Sequence, residues 1–161
     1  MSKSLIEEKL SSQQLVLPVL PVSKGVYKRC LIAGNHLYVS GHISVNADGS
    51  PITGKLGSDI SDEAGRQAAR QCGLAILSSI KETLGGFERV KRVIKIFGMV
   101  NSVPDYKDHP VIINGCSELF RYLWGEDNGV GVRSAVGMGS LPGNVAVEIE
   151  AIFEIDPDPV K

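Results

Sequence analysis

The sequence predicts an α+β fold in which a single mixed β-sheet carries two long helices on one face. Apolar and polar side chains alternate strictly at positions 147–155, which is typical of a strand with one buried face. In segments 61–84 and 108–124, apolar residues recur every three to four positions, as in helices that pack on a sheet. The predicted order is β-β-α-β-α-β-β, and its simplest solution places both helices together. The other sheet face is then uncovered, so we expect it to meet another subunit.

Length and composition indicate one globular domain spanning residues 1–161. The chain has 161 residues, of which 43% are hydrophobic and 22% charged, and these values are ordinary for a globular protein. The 17 basic and 18 acidic residues give a formal charge of −1. Because no domain-wide positive field results, nucleic acid is not the expected partner.

The cysteines and the N-terminal segment indicate a cytoplasmic protein. Cys30, Cys72 and Cys116 form no C-x-x-C pair, and their odd number argues against a disulfide framework. The apolar run at positions 15–22 is interrupted by Pro18 and Pro21 and is too short to span a membrane. We therefore expect neither a signal peptide nor a membrane partner.

The first half of the chain is predicted to contain an N-terminal helix, an arm and two strands. Residues 1–22 comprise a short amphipathic helix over 2–10 and an extended arm, whose prolines favour β or polyproline geometry. Strands are predicted over 26–32 and 36–40, joined by a tight turn at 33–35. Ser61 is a favourable N-cap for the first long helix, which is predicted to end before Gly85.

The second half is predicted to contain a strand over 90–100, a helix over 108–124, a loop over 125–131 and a closing hairpin. The hairpin turn is Ser140–Asn144, which contains the Pro and Gly that such turns favour. In a hairpin, Arg133 lies near the level of Glu148 and Glu150. One hypothesis is a cross-strand ion pair. The other is an arginine that binds a substrate carboxylate beside a glutamate that positions water.

Other kinds of site receive little support from the sequence. His36, His42 and His109 have no recognised metal-ligand spacing, so no metal is expected. No G-x-S-x-G elbow precedes a helix, and each cysteine lies on a predicted apolar face. A basic cluster at positions 89–95 is the one candidate for a nucleic-acid patch, although such clusters are commonly solvated strand edges.

Several separated segments together resemble the RidA/YjgF family of reactive-intermediate deaminases. The resemblance covers residue 20 to the C-terminus, and the final stretch is its most specific part. The matching segments are Gly25-Val26-Tyr27, Leu37-Tyr38-Val39-Ser40-Gly41, positions 93–100, the NGCSELF segment beginning at Asn114, Val132-Arg133-Ser134, Leu141-Pro142 and positions 147–152. The helical start and a longer loop near Tyr106 resemble the longer, endoribonuclease-like branch of the family.

The resemblance implies a chorismate-mutase-like subunit that assembles as a homotrimer with sites in clefts between subunits. Arg133 would hold a substrate carboxylate, and Glu148 would position the water that attacks an imine carbon. Tyr27, Ser40, Gly41 and Asn114 would line the cleft. The implied reaction converts 2-aminoacrylate or its imine to a 2-keto acid and ammonia, without a cofactor or metal.

Two positions depart from the deaminase pattern and leave the substrate open. Ala135 stands where deaminases commonly have Cys, and His42 replaces the usual Gln after Ser-Gly. We expect both changes to alter the lining of the cleft. Two alternatives remain: a non-catalytic trimer that binds small 2-keto acids, and RNA cleavage, for which His42 is the candidate acid or base.

Overall fold

The computed structural model describes residues 4–23 and 25–157 and contains one sheet and three α-helices in that part of the chain. The elements are α1 (Leu5–Ser12), β1 (Cys30–Ala33), β2 (His36–Ile43), α2 (Asp62–Leu84), β3 (Val90–Asn101), α3 (His109–Gly129), β4 (Val132–Met138) and β5 (Val147–Ile155). The short N-terminal helix is present, although its predicted start at Ser2 lies outside the described residues. The predicted order of strands and long helices is confirmed.

The five strands form a mixed sheet in the order β1-β2-β5-β3-β4. β3 and β4 are parallel, whereas the other neighbouring pairs are antiparallel. The buried side chains of β5 pack under α2 and α3, and Phe153 contacts Phe120 of α3 with ring centroids 5.6 Å apart. Both long helices therefore cover one face, which we call the helix face, as predicted. The other is called the open face.

The predicted hairpin between the last two strands is wrong. β3 lies between β4 and β5, and each of them pairs with β3 instead of with the other. The connection from Met138 to Val147 is long enough to pass over the end of β3, where the buried Asn101 donates hydrogen bonds to Asn144 Oδ1 (3.0 Å) and the Val145 carbonyl (3.1 Å). The β3-α3-β4 order gives parallel strands because a crossover helix returns the chain to the same end of the sheet.

Two element boundaries also differ from prediction. β1 begins at Cys30 rather than Val26, and Cys30 pairs with Val39, the last residue of β2 before its pairing with β5 shifts register. α3 extends to Gly129 across a break at Gly125, which has a left-handed φ of 82°. Residues 126–129 are therefore helical, although a loop is predicted there.

The ends of α2 agree with the sequence prediction for physical reasons that are visible locally. The Ser61 hydroxyl accepts a hydrogen bond from the Ala64 amide at 3.2 Å, which satisfies an amide that has no partner within the helix. Gly85 ends the helix with a φ of 78°, a conformation that costs glycine little. Gly115 lets α3 approach α2 closely, since a Cβ there would lie 2.0 Å from the Arg66 carbonyl oxygen.

Candidate functional site

Arg133 lies on the helix face at the β4 edge of the sheet, under α3. It pairs with Ile96 of β3, which is buried beneath the helices, so the two side chains share that face. Its Nη1 donates hydrogen bonds to Asn114 Oδ1 at 2.8 Å and to Ser117 Oγ at 3.1 Å. The structure therefore brings Arg133 and Asn114 together. We call this region the Arg133 edge.

A cavity of about 300 Å³ opens beside Arg133. Residues of α3, the following turn and the sheet edge form its wall: Ile96, Asn114, Ser117, Glu118, Arg121, Glu126, Gly129, Val130, Gly131 and Arg133. The hydrogen bonds from α3 fix the direction of the guanidinium before any ligand arrives. A planar guanidinium held in this way is suited to a carboxylate, which it can bind through two parallel hydrogen bonds.

Tyr27 and Ser40 lie on the open face, where they line a second cavity of about 450 Å³. Ser40 Oγ donates a hydrogen bond to the Lys28 carbonyl at 2.6 Å, which fixes the hydroxyl beside this cavity. Apolar and aromatic side chains supply much of the remaining wall, and its charged residues are Lys28, Lys95 and Glu150. We call this region the open-face cavity.

Glu148 also lies on the open face, where its carboxylate rests against Gly41. A Cβ at position 41 would lie 2.1 Å from Glu148 Oε1, so the absence of a side chain there makes room for the carboxylate. Burial, and secondarily the negative charge of Glu150, raise the pKa of Glu148. A carboxyl group with a raised pKa is better matched to accepting a proton near neutral pH.

The two carboxylates of β5 differ in their surroundings. Glu148 is half-buried and touches Gly41, whereas Glu150 is exposed and lines the open-face cavity with Tyr27 and Ser40. Both point to the open face, as their alternation in the strand predicts. Of the two, Glu148 is the carboxylate that packs against the backbone of β2.

In this chain, the candidate residues form two groups on opposite faces of the sheet. Arg133 and Asn114 belong to the helix face, whereas Tyr27, Ser40, Gly41 and Glu148 belong to the open face. Arg133 pairs with Ile96, and Glu148 pairs with Met99, the residue three positions further along β3. The hypothesis of an intrachain ion pair across a hairpin is therefore wrong, because the strand assignment on which it depends is wrong.

His42 and Ala135, the two positions that depart from the deaminase pattern, lie on the helix face. His42 is only 6% exposed and bonds to Ser79 of α2, so the expectation that it lines the cleft is wrong. It is likewise too buried to act on RNA. Ala135 pairs with Gly98 on the same face as Arg133 and is partly buried against the core.

The basic cluster on β3 is largely neutralised by the end of the chain. Arg92 pairs with Glu154 at 3.2 Å, and Lys91 lies 3.5 Å from Asp156. Arg89 donates a hydrogen bond to the Asp156 carbonyl at 3.1 Å. These contacts favour a solvated strand edge over a phosphate-binding patch. As for membranes, none of the helices in residues 4–23 and 25–157 is long and apolar enough to cross one.

Comparison with known proteins identifies the family. A family model described as "YjgF/chorismate mutase-like, putative endoribonuclease" matches residues 7–146. The chain belongs to the YjgF family. It is 36% identical over 140 residues to protein TCP17 of Trypanosoma cruzi, covering 87% of this chain and 88% of the relative. It is 29% identical over 140 residues to a 2-iminobutanoate/2-iminopropanoate deaminase of Dermatophagoides farinae, covering 86% and 93% respectively.

A solved structure with the same fold is that of a protein of unknown function from Agrobacterium tumefaciens, at 39% identity and a TM-score of 0.84, with 94% of each chain covered. The predicted chorismate-mutase-like YjgF fold is therefore confirmed. Membership in this family fixes the architecture in which the Arg133 edge and the open-face cavity are built. It leaves the reaction to be argued from those two regions.

Sequence reasoning missed several residues that shape the two regions. Ser117 holds Arg133 together with Asn114, and Tyr38, Lys95 and Phe97 line the open-face cavity. Ser117 follows Asn114 by three residues, a spacing that places both on one side of a helix. The contact of Ser117 with Arg133 could be inferred only after the structure had placed α3 over Arg133. Lys95 and Phe97 alternate on β3 with buried residues, so their face could be predicted, but not the neighbours they meet across it.

Proposed function

We propose that the protein is an enamine and imine deaminase that hydrolyses reactive 2-imino acids to 2-keto acids and ammonia. The proposed sites lie in clefts between the subunits of a homotrimer. One observation carries the proposal: a prepositioned guanidinium and a carboxylate of raised pKa lie on opposite faces of the same sheet. A single subunit cannot direct both at one small substrate, whereas two copies that place the edge of one against the open face of the other can.

Exposed apolar side chains near the open-face cavity support assembly through this face. Leu31 is 50% exposed and Tyr38 is 44% exposed, and both line the cavity. Burying such a surface against another copy of the chain would be favourable. A closed trimer would repeat the same contact three times and thereby generate three equivalent sites.

In the proposed reaction, Arg133 binds the carboxylate of the imino acid and fixes the position of its C=N carbon. Glu148 accepts a proton from a water molecule as the water oxygen attacks that carbon. The protonated Glu148 returns this proton to the imine nitrogen, which gives a neutral carbinolamine. The hydroxyl proton of the carbinolamine then passes to its amine nitrogen as the C–N bond breaks, so ammonia leaves and the 2-keto acid remains. Since imines also hydrolyse in water, positioning and general base assistance are sufficient chemistry for the enzyme.

The deaminase relative of Dermatophagoides farinae supports this reaction, while the name of the family model supports endoribonuclease activity as the alternative. The described residues favour the first. His42 is buried, and Lys91 and Arg92 are paired with acidic side chains. A ribonuclease would ordinarily require an accessible acid and base together with cationic phosphate contacts.

The decisive experiment measures 2-keto acid release from 2-iminopropanoate that an amino-acid oxidase generates in situ. Purified protein is expected to release keto acid faster than the spontaneous rate, and light scattering after size exclusion is expected to give a trimer. Binding of pyruvate without acceleration would instead indicate a non-catalytic 2-keto-acid-binding module. RNA cleavage that weakens steeply with added salt, in the absence of imine turnover, would favour the endoribonuclease.

A further inference from the structure

We propose that His42 is a positioning residue that fixes the Ser40–Gly41 segment on which the Glu148 carboxylate rests. The inference rests on the proposed function, because it concerns the alignment of the proposed base. His42 itself lies on the helix face and touches no substrate. Its action passes through the backbone of β2 to the open face.

The segment that His42 holds is an irregularity in the sheet. β2 and β5 pair regularly up to Val39 with Ala151, and pairing resumes at His42 with Ile149. Ser40 and Gly41 therefore oppose only Glu150 on β5, as in a β-bulge. Bulges bend a strand and re-aim its neighbours, and they recur next to active sites. Here the bulge presents Gly41 to Glu148 and the Ser40 hydroxyl to the open-face cavity.

His42 makes two short hydrogen bonds from the inside of this bulge. Its Nδ1 lies 2.7 Å from the Ser40 carbonyl oxygen, and its Nε2 lies 2.7 Å from Ser79 Oγ on α2. Because a carbonyl only accepts, Nδ1 carries the proton, and in the neutral ring Nε2 accepts from the Ser79 hydroxyl. The imidazole thereby ties the irregular segment to a helix that the core holds rigidly.

The surroundings favour the neutral ring. Ser40 on β2 and Ser79 on α2 are uncharged partners, and the charged groups nearby are Arg29, beside β1, and Glu148, on the opposite face of the sheet. Burial is the main cause that lowers the pKa of His42. The hydrogen bond to the Ser40 carbonyl acts in the opposite direction without cancelling it, and the Arg29 charge adds to the lowering. The His42 ring is therefore neutral, with its proton on Nδ1, at physiological pH. We call its two hydrogen bonds, to the Ser40 carbonyl and to Ser79, the clamp.

Removing the imidazole would leave the Ser40 carbonyl without this partner at a place where the ladder is already interrupted. The backbone of Ser40 and Gly41 can then move into regular pairing with β5, or the Ser40 carbonyl can turn to accept a hydrogen bond from water. Either movement shifts Gly41 relative to the Glu148 carboxylate. The expected consequence is a change in the protonation and aim of Glu148 with little effect on the Arg133 edge, which belongs to different strands.

The test compares His42→Ala with His42→Asn, whose side-chain amide can replace the Nδ1–H donor, and with Ser79→Ala, which keeps the Ser40 bond. Glu148 is titrated through its carboxyl carbon by NMR, and kcat and KM are measured on 2-iminopropanoate. His42→Ala is expected to shift the Glu148 titration and to lower kcat about tenfold at nearly constant KM. His42→Asn should restore most of both, and Ser79→Ala, which removes only the bond to α2, should change both in the same direction as His42→Ala but by less.

An unchanged Glu148 titration in folded His42→Ala would overturn the inference. If that variant does not fold, nitrogen NMR of the unmodified protein still decides, because a proton found on Nε2 instead of Nδ1 excludes the bond to the Ser40 carbonyl. Neither NMR measurement depends on turnover. A clear titration shift in a protein that never turns over imines would contradict the proposed function while leaving the clamp intact.

Discussion

The Arg133 edge and the open-face cavity use different physical means to hold a charged side chain. Arg133 is directed by hydrogen bonds from α3, with Asn114 and Ser117 both accepting from one guanidinium nitrogen. Glu148 is directed by packing, with its carboxylate lying against the bare backbone of Gly41. Hydrogen bonds leave the cation well satisfied, whereas packing leaves the anion partly desolvated, which raises its pKa.

This difference supports the proposal that the two regions are complementary parts of one site between subunits. In the part of the chain that the structure describes, Glu148 forms no ion pair, and it lies on the central strand β5, whereas Arg133 lies on the opposite face at the β4 edge. This arrangement is better suited to contact between copies than within one copy. The most informative experiments therefore alter one region and measure the effect on the other.

The largest effect is expected from Glu148→Gln. The amide matches the carboxylate in shape but cannot accept the proton of the attacking water, so kcat should fall on the order of 100-fold, within the usual range for general base catalysis. Kinetics on 2-iminopropanoate measure it, with pyruvate binding expected to persist. Glu150→Gln is the matched control on the same strand face. Equal losses from both variants would indicate a general electrostatic effect.

A loss of about tenfold or more, equivalent to about 1.4 kcal/mol per tenfold, is expected from Arg133→Ala. Without the guanidinium, the substrate carboxylate has no fixed partner, while the trimer and its melting temperature should change little because Asn114 and Ser117 can turn to water. Arg133→Lys should recover only part of the activity, since an ammonium lacks the planar fork.

The wild-type protein, Arg133→Ala and Arg133→Lys must be compared both by thermal melts and by imine kinetics. A large fall in melting temperature with undiminished activity per folded trimer would show that Arg133 only supports the structure. Arg121 of α3 lines the same cavity, and Arg121→Ala is the control. This variant removes a nearby positive charge but leaves the Arg133 guanidinium and its hydrogen bonds to Asn114 and Ser117 in place.

An intermediate effect is expected when two inactive variants are combined. If each site takes Arg133 from one subunit and Glu148 from a neighbour, mixed trimers of Arg133→Ala and Glu148→Gln subunits contain some intact sites. Random assembly from equal amounts should restore about a quarter of wild-type activity, since each contribution is intact in half of the subunits. Dissociation, mixing and reassembly test this. Mixtures no more active than either parent would place both residues in one subunit's site or in none.

The smallest effect is expected in the titration of Glu148 itself. If assembly brings the guanidinium of one copy near the carboxylate of another, then Arg133→Ala should raise the pKa of Glu148 in the trimer, because an attractive charge has been removed. Carbon NMR of the labelled carboxyl group measures the shift. The double variant Arg133→Ala with His42→Ala separates the two causes, because the charge effect of Arg133 and the backbone effect of His42 should then add in the Glu148 titration. An identical Glu148 titration with and without Arg133 would mean that the two regions do not meet.

Much of the local structure could be predicted because its causes lie within a few residues. The Ser61 cap, the glycine stop at position 85 and the alternation of Glu148 and Glu150 with buried neighbours all follow from hydrogen bonds or side-chain directions set by adjacent backbone. The sequence also indicated which face of β5 is buried. It could not choose between Glu148 and Glu150, because both obey the same period and differ only in what lies across from them.

The candidate site, too, could be predicted only in part from the sequence. The residue types came from the sequence pattern and from its resemblance to the YjgF family, including Arg133, Asn114 and Glu148. Their spatial grouping did not come from the sequence. A hairpin between the last two strands would have placed Arg133 beside Glu148, whereas β3 lies between those strands. Likewise, His42 was expected in the cleft, but the bulge at Ser40 and Gly41 turns it toward α2.

By itself, the sequence determined the order of the elements, the ends of α2 and the buried face of the last strand, because periodicity and capping act along the chain at short range. Only the tertiary structure decided which strands are neighbours. Inserting β3 between β4 and β5 depends on the α3 crossover and on packing against a shared core, and these energies arise between residues far apart in sequence. For the same reason, only the tertiary structure assigned the guanidinium and the carboxylate to opposite faces of one sheet.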